Sequence, residues 1–227
     1  MQREKSDLIV VLDFGAQYSQ LIARRVREIG VYSQILPFNC SVEEITELNP
    51  KGIIFSGGPA SVSKEGSPRV DNKIFDLGLP ILGICYGLQV MMKQNGGEVS
   101  CPLKKEYGLA NIDIIKESVL FKKISNKSQV WMSHGDSVSD LAPGFEIISS
   151  TDNCPITAVE NLDKKFYGVQ FHPEVVHSVE GTQLLENFVI EVCECDKTWS
   201  MTSFVDQAIE EIREKVGDKQ VLCGLSG

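Results

Sequence analysis

Near the start of the chain, Leu8-Ile9-Val10-Val11-Leu12 forms an unbroken apolar run. A strand with one wet face alternates apolar and polar side chains, so a run with no polar position marks a strand covered on both faces. The segments that follow supply the cover. Residues 17–29 set Leu21, Ile22, Val26 and Ile29 at helical spacing, and Gly30 provides a stop. Residues 33–36 and 52–55 read as the next strands, with a short helix over 42–48 between them. A fourth strand is predicted at 80–84, and a helix over 88–94 ends at Asn95-Gly96-Gly97. Strand and helix alternating in this way predict an α/β fold, with a mostly parallel central sheet joined by right-handed crossovers and helices on both faces.

From about Glu98 the rhythm changes. Short alternating segments at 110–115, 129–132, 145–149, 157–160 and 166–171 are separated by turn residues such as Ala142-Pro143-Gly144. They predict an antiparallel extension of the sheet. One more amphipathic helix is expected over 182–192. After Cys195 the organisation resets: residues 204–216 carry Phe204, Val205, Ala208, Ile209, Ile212 and Val216 on one helical face, and Gln220-Val221-Leu222-Cys223 reads as a new buried strand. The expected division is a first domain over 1–197, then a linker, helix and first strand of a truncated second domain over 198–227.

With 227 residues the chain suffices for one full α/β domain and little more. Its 42% hydrophobic and 23% charged residues are ordinary for a soluble globular protein, and a formal charge of −9 argues against binding to nucleic acid or an anionic membrane. No secretory signal is legible at the N-terminus. The longest apolar region, 79–92, is broken by Gly83, Gly87 and Gln89 and is not a membrane span. Seven scattered cysteines, an odd number, fit a reducing, cytoplasmic setting better than a disulfide framework. Cys193-Glu194-Cys195 is the one close pair, without two further ligands at useful spacing, so no metal centre is expected.

Gly83-Ile84-Cys85-Tyr86-Gly87 places a cysteine between a predicted strand and a predicted helix, flanked by glycines. A sharp strand-to-helix turn strains its central residue, and flanking glycines remove the clashes a Cβ would cause. Such a turn projects the Cys85 sulfur above the sheet at a helix N-terminus, where the dipole favours a thiolate. A free thiol with a pKa near 8.5 is only about 3% ionised at neutral pH, so this placement decides whether a cysteine can act as a nucleophile.

Downstream, Gly168-Val169-Gln170-Phe171-His172-Pro173-Glu174 follows a strand-like run. Pro173 holds His172 extended, and in an extended chain residues two apart share a face. Glu174 can therefore bond one imidazole nitrogen and leave the other for a thiol, which completes nucleophile, base and orienter. His177 is the second candidate for the base; it lacks both the proline and the paired carboxylate. Ser56-Gly57-Gly58-Pro59 ends the third strand as either a tight turn or a set of amides for an oxyanion. Pro59 and the lack of a following Gly-Lys-Ser/Thr argue against a phosphate loop. Trp131-Met132-Ser133-His134-Gly135-Asp136 puts a carboxylate and backbone groups just past a strand, where an α-amino group could be held.

Taken together, the Gly-x-Cys-x-Gly elbow, the upstream Gly-Gly turn and the downstream His-Pro-Glu resemble the class I (triad) glutamine amidotransferases, over about residues 8–193. The resemblance implies a flavodoxin-like scaffold, with Cys85 as nucleophile, His172 as base and Glu174 as its orienter. It further implies oxyanion-binding amides at Gly58 and Tyr86, and a glutamine site at Gln89, Ser133, His134 and Asp136. Within that group the opening Leu12-Asp13-Phe14-Gly15-Ala16-Gln17-Tyr18, Ser133-His134-Gly135-Asp136 and His172-Pro173-Glu174-Val175-Val176-His177-Ser178 are similar to the GMP synthase family. Leu225-Ser226-Gly227 resembles the first residues of that family's Ser-Gly-Gly-x-Asp-Ser loop in the ATP pyrophosphatase domain. The resemblance implies glutamine as substrate and a synthetase domain on the same polypeptide. It also implies ATP and Mg²⁺ in that domain rather than in this chain, and a homodimer formed through regions beyond it. Rival readings are an amidotransferase of another pathway, a γ-glutamyl hydrolase using the same triad, and a non-catalytic binding domain.

Overall fold

The computed structural model describes residues 6–101 and 105–200, together with 209, 212, 213, 215–217 and 219. The apolar run becomes β1 (Leu8–Asp13), lying between its parallel neighbours β2 (Tyr32–Pro37) and β3 (Gly52–Phe55). Ile9 and Val11 join one core, with Ile22 and Val26 of α1 (Ser19–Ile29) and Leu184 and Leu185 of a later helix. Leu8, Val10 and Leu12 join the other, with Ile45 of α2 (Val42–Leu48) and Leu88 and Met91 of α3 (Tyr86–Gln94). Both alternating sets are buried, so a polar residue has no place in the run. Burial of each such side chain stabilises the fold by about 1.5–3 kcal/mol.

Local signals set the helix ends. α1 stops at Gly30, whose φ of 99° suits glycine and whose amide donates to the carbonyls of Arg27 and Val26. α2 starts with a capping box: Ser41 Oγ accepts from the Glu44 amide, and the Glu44 carboxylate accepts from the Ser41 amide.

β4 (Ile81–Ile84) pairs in parallel with β3 on one side and with β11 (Phe166–Val169) on the other. Beyond β11 the sheet continues antiparallel through β10 (Ala158–Asn161), β9 (Glu146–Ser150), β6 (Glu106–Ile114) and β7 (Lys127–His134). The strand order is β2-β1-β3-β4-β11-β10-β9-β6-β7, a parallel part with an antiparallel extension as the sequence predicts. The pairing of β4 with β11 sets Ile84 beside Val169. Residues far apart in the chain thereby leave the sheet side by side.

Two features depart from the sequence reading. β5 (Glu98–Ser100) and β8 (Ser137–Asp140) form a small antiparallel pair of their own, with Val99 opposite Val138. The helix expected over 182–192 is α-helical only in α4 (Gly181–Glu186) and widens to a π-helical turn over Asn187–Val192. Asn187 is buried and donates through Nδ2 to the carbonyls of Leu120 and Lys122, which ties that turn to a neighbouring segment.

Past α4 the chain returns along the first strands: the Asp196 amide donates to Asp7 Oδ2 and the Trp199 amide to the Gly30 carbonyl. Of the helix expected over 204–216, Ile209, Ile212, Arg213, Lys215 and Val216 are helical, and Ile209 and Ile212 are exposed. The strand expected at 220–223 and the segment Leu225-Ser226-Gly227 lie outside the described residues. Among the described residues, no helix is long and apolar enough to cross a membrane.

Candidate active site

Cys85 is the residue between β4 and α3, and its backbone has φ 50° and ψ −104°. A left-handed φ at a non-glycine residue persists only where the surroundings over-determine it. Here the Cys85 amide donates to the Val169 carbonyl at 2.7 Å, and its carbonyl accepts from the Gln89 amide at 3.2 Å. The flanking glycines are demanded by space. A Cβ on Gly83 would lie 2.6 Å from the Leu88 amide nitrogen, and one on Gly87 would press on the Phe55 carbonyl.

Because β11 runs beside β4, the chain past β11 reaches the same end of the sheet. His172 arrives there with its amide donating to the Trp131 carbonyl and its own carbonyl accepting from Ser178 Oγ at 2.6 Å. Its Nδ1 donates to Glu174 Oε1 at 2.8 Å, so the carboxylate fixes the ring and leaves Nε2 for the sulfur. The His172 Cε1 and Cys85 Cβ both lie under Gly57, where a Cβ would meet them at 3.1 and 3.9 Å. Glu174 is almost fully buried, and Arg25 Nε bonds its backbone carbonyl.

Burial draws the His172 imidazole toward its neutral form. Interactions with the Cys85 sulfur and with the Glu174 carboxylate outweigh it and push the pKa up to about 10. The ring therefore keeps its proton from its ordinary 6.5 up to about 10, across the neutral range. With three histidines in the sequence, the Cε1 proton resonances can be assigned one by one. The His172 resonance should titrate well above neutral pH, and Cys85→Ala should lower its midpoint by removing one of the two supporting partners. An unmoved midpoint would show that the sulfur is not a partner of the ring.

Cys85 and His172 open into a cavity of about 440 Å³, which Gly58, Tyr86, Gln89, Ser133, His134 and Asp136 also line. Each residue expected to hold substrate is thus brought to one place. The Tyr86 amide belongs to the first turn of α3, where amides have no intrahelical acceptor. Gly58 sits on a turn that Ser56 anchors by accepting from the Phe14 amide, and a Cβ there would come within 2.9 Å of the Phe14 carbonyl. Gln89 Nε2 donates to the Asp136 carbonyl at 2.7 Å, which positions the 133–136 wall against α3. The His134 side chain is almost fully buried, with Nδ1 on the Asp136 carbonyl at 3.1 Å. His177 is not brought to the cavity; its ring packs on Trp131, 4.7 Å between centroids.

Two residues escape the sequence reading. Gln170 is fully buried, with Nε2 3.7 Å from the Cys85 sulfur and Oε1 3.4 Å from Gln89 Nε2. The alternation that joins His172 to Glu174 would have found it, since Gln170 stands two residues before the histidine. Tyr18 sets its ring edge-on to His172, 5.6 Å between centroids, and no spacing rule points to it.

A thiol on a strand-to-helix elbow, with a carboxylate-held imidazole at the same end of a partly parallel sheet, has the arrangement of α/β enzymes that use a cysteine nucleophile. Membership is narrower: a match to the model of the family "Glutamine amidotransferase class-I" spans residues 10–192, and the chain belongs to that family. It is 54% identical over 221 residues to a glutamine-hydrolysing GMP synthase of Clostridium botulinum, covering 97% of this chain and 43% of that protein. With the corresponding protein of Bacillus licheniformis the identity is 55% over 227 residues, covering 100% of this chain and 44% of the relative. The chain thus spans less than half the length of these relatives. A candidate GMP synthase subunit from Thermoplasma acidophilum superimposes with a TM-score of 0.76 at 27% identity, covering 93% of this chain and 100% of that one. A glutamine amidotransferase from Thermotoga maritima, at 19% identity and a TM-score of 0.62, shares the fold over 94% of both chains.

Proposed function

We propose that this chain releases ammonia from glutamine, with Cys85 as nucleophile, and that it is the glutaminase part of a GMP synthase. The pairing of the elbow cysteine with the Glu174-held imidazole of His172 carries the reading. The Cys85 sulfur attacks the side-chain carbonyl of glutamine. The protonated His172 gives its proton to the departing ammonia, leaving a γ-glutamyl thioester on Cys85. The now neutral ring takes a proton from water, which attacks the thioester; glutamate is freed, its carboxyl proton passing to solvent, and Cys85 is released as the thiolate beside the reprotonated ring. Amides of Gly58 and Tyr86 stabilise the oxyanion, and loss of one such donor typically slows a reaction by about 10²–10³. Ser133, His134 and Asp136 offer the amino-acid end of glutamine a carboxylate and backbone groups, with Gln89 bracing them.

In the complete enzyme the ammonia aminates XMP at the expense of ATP, in a synthetase domain that begins within 198–227 and binds ATP and Mg²⁺. A cytoplasmic homodimer assembled through regions beyond this chain completes the proposal. The identity to GMP synthases over almost the whole chain supports this part.

A glutamine-like electrophile followed by peptide mass mapping tests the nucleophile. The expected product is a single adduct on Cys85, suppressed by glutamine. Cys40, Cys154 and Cys195 are held as thiols by burial, the last two with pKa values of about 11 and about 12, and should stay unmodified. Glutamine-protected labelling on any other cysteine removes the assignment. In the full-length protein, Cys85→Ala should abolish GMP formation from glutamine and leave formation from ammonium intact; loss with both nitrogen sources would count against the division of labour.

A further inference from the structure

Behind the wall of the glutamine cavity, antiparallel pairing of β6 with β7 sets Glu106 directly opposite His134. Both side chains are buried, 7% and 2% exposed, and His134 Nε2 lies 3.6 Å from Glu106 Oε2. Neither atom has a hydrogen-bond partner. The other ring nitrogen bonds the Asp136 carbonyl, which can only accept, so Nδ1 carries the hydrogen and a neutral ring turns its Nε2 lone pair toward the carboxylate. The carboxylate is held from behind. Thr151 Oγ1 donates to Oε1 at 2.8 Å and accepts from the Cys154 amide at 3.0 Å, which brings the Cys154 thiol to the same spot. The ligand atoms of Glu106, His134 and Cys154 lie within 4.8 Å of one another.

Two buried acceptors facing each other are mutually repulsive unless a cation, a proton or a metal ion, stands between them. A proton placed on the ring would sit on an imidazole that burial pulls toward the neutral form, against the attraction of Glu106. A metal ion suits the donors better. Bonds of about 2.0–2.3 Å at tetrahedral angles leave ligand atoms roughly 3.3–3.8 Å apart, the separation found for the nitrogen and oxygen here. A nitrogen, a carboxylate oxygen and a sulfur form the mixed set that zinc accepts. We propose that Glu106, His134 and Cys154 form a site for one divalent transition-metal cation of the zinc type, which clamps β6, β7 and the 151–156 turn behind the glutamine cavity. On binding, the Cys154 S–H, now donating to the Ile156 carbonyl, gives its proton to solvent, and the thiolate, imidazole and carboxylate each supply one electron pair. No redox change is involved. Thr151 and the Asp136 carbonyl orient the carboxylate and the ring from outside the ligand set.

Cobalt(II) titrated into metal-free protein of this chain is the test, in a Cys85→Ala background that removes the other thiol–imidazole pair. One equivalent should produce a thiolate-to-cobalt charge-transfer band in the near ultraviolet, displaced by zinc. Cys154→Ser, a near-isosteric change, should abolish the band, and Glu106→Gln should weaken binding at least tenfold. Cys154→Ala serves as the second variant if the serine protein does not fold. No band at a tenfold excess of cobalt, or a band that survives loss of Cys154, overturns the proposal. Neither result touches the assignment of Cys85 and His172, which uses neither Glu106 nor Cys154.

Discussion

Cys85→Gly should turn over no glutamine and yet be more stable than Cys85→Ala. Removing the nucleophile of a comparable triad lowers kcat by on the order of 10⁶, and glycine and alanine should be equally inactive. Their stabilities should differ, and with an unusual sign. In ordinary helix or strand backbone, glycine is less stable than alanine by about 0.5–1 kcal/mol, because it loses more freedom on folding. At φ 50° and ψ −104° a Cβ is strained, which costs on the order of 1–3 kcal/mol that alanine retains and glycine sheds. The order inverts, with glycine ahead by about 1 kcal/mol. Denaturant midpoints of the two variants measure the difference, and a glutamate-release assay measures the activity. Alanine equal to or above glycine would mean that the elbow stores no strain, and that the sulfur owes its position to something other than a forced turn.

The same geometry explains which parts of the molecule the sequence displays. Burial on two faces leaves no polar position, so β1, β3 and β4 appear as continuous apolar runs. The triad is visible because each member is local to its own signal: glycines around Cys85, a proline after His172, a carboxylate two residues on. What joins them is the parallel register of β4 with β11, which no local pattern specifies, 166–171 reading as part of the antiparallel extension. The rest of the site depends on partners no short window contains. Gln170 matters through Cys85 and Gln89, and His134 through Glu106 on the neighbouring strand. β5 and β8 each bury little beyond one valine, too weak a pattern to stand out, and the widened turn after α4 follows from where Asn187 finds its carbonyls. Glu106, His134 and Cys154 come from two strands and a turn, and no ligand spacing in the sequence announces them.

Gly181 is another position that sequence reading passes over, and substituting it should cripple the enzyme from a distance. It opens α4, donates its amide to the Ser178 carbonyl, and packs so closely beneath the His-Pro-Glu segment that a Cβ would press on the Pro173 carbonyl oxygen and lie 2.7 Å from its carbonyl carbon. The obstacle is backbone rather than a flexible side-chain end, and it sits between His172 and Glu174. Gly181→Ala must therefore move Pro173 or the start of α4. The bond from Ser178 Oγ to the His172 carbonyl links the same loop back to the histidine, so the shift is transmitted to the ring. Overpacking of this kind typically costs about 1–3 kcal/mol of stability, and misplacing a catalytic group by about 1 Å can cost 10²-fold in rate. The loss should fall on kcat, with KM for glutamine little changed, because the cavity wall at Gln89, Ser133 and Asp136 does not touch Gly181. The glycine is not in a left-handed conformation, so space alone opposes alanine there. A folded Gly181→Ala protein with undiminished kcat would show that Pro173 can yield without carrying His172 along, and that the imidazole is placed by Glu174 and the Trp131 carbonyl alone.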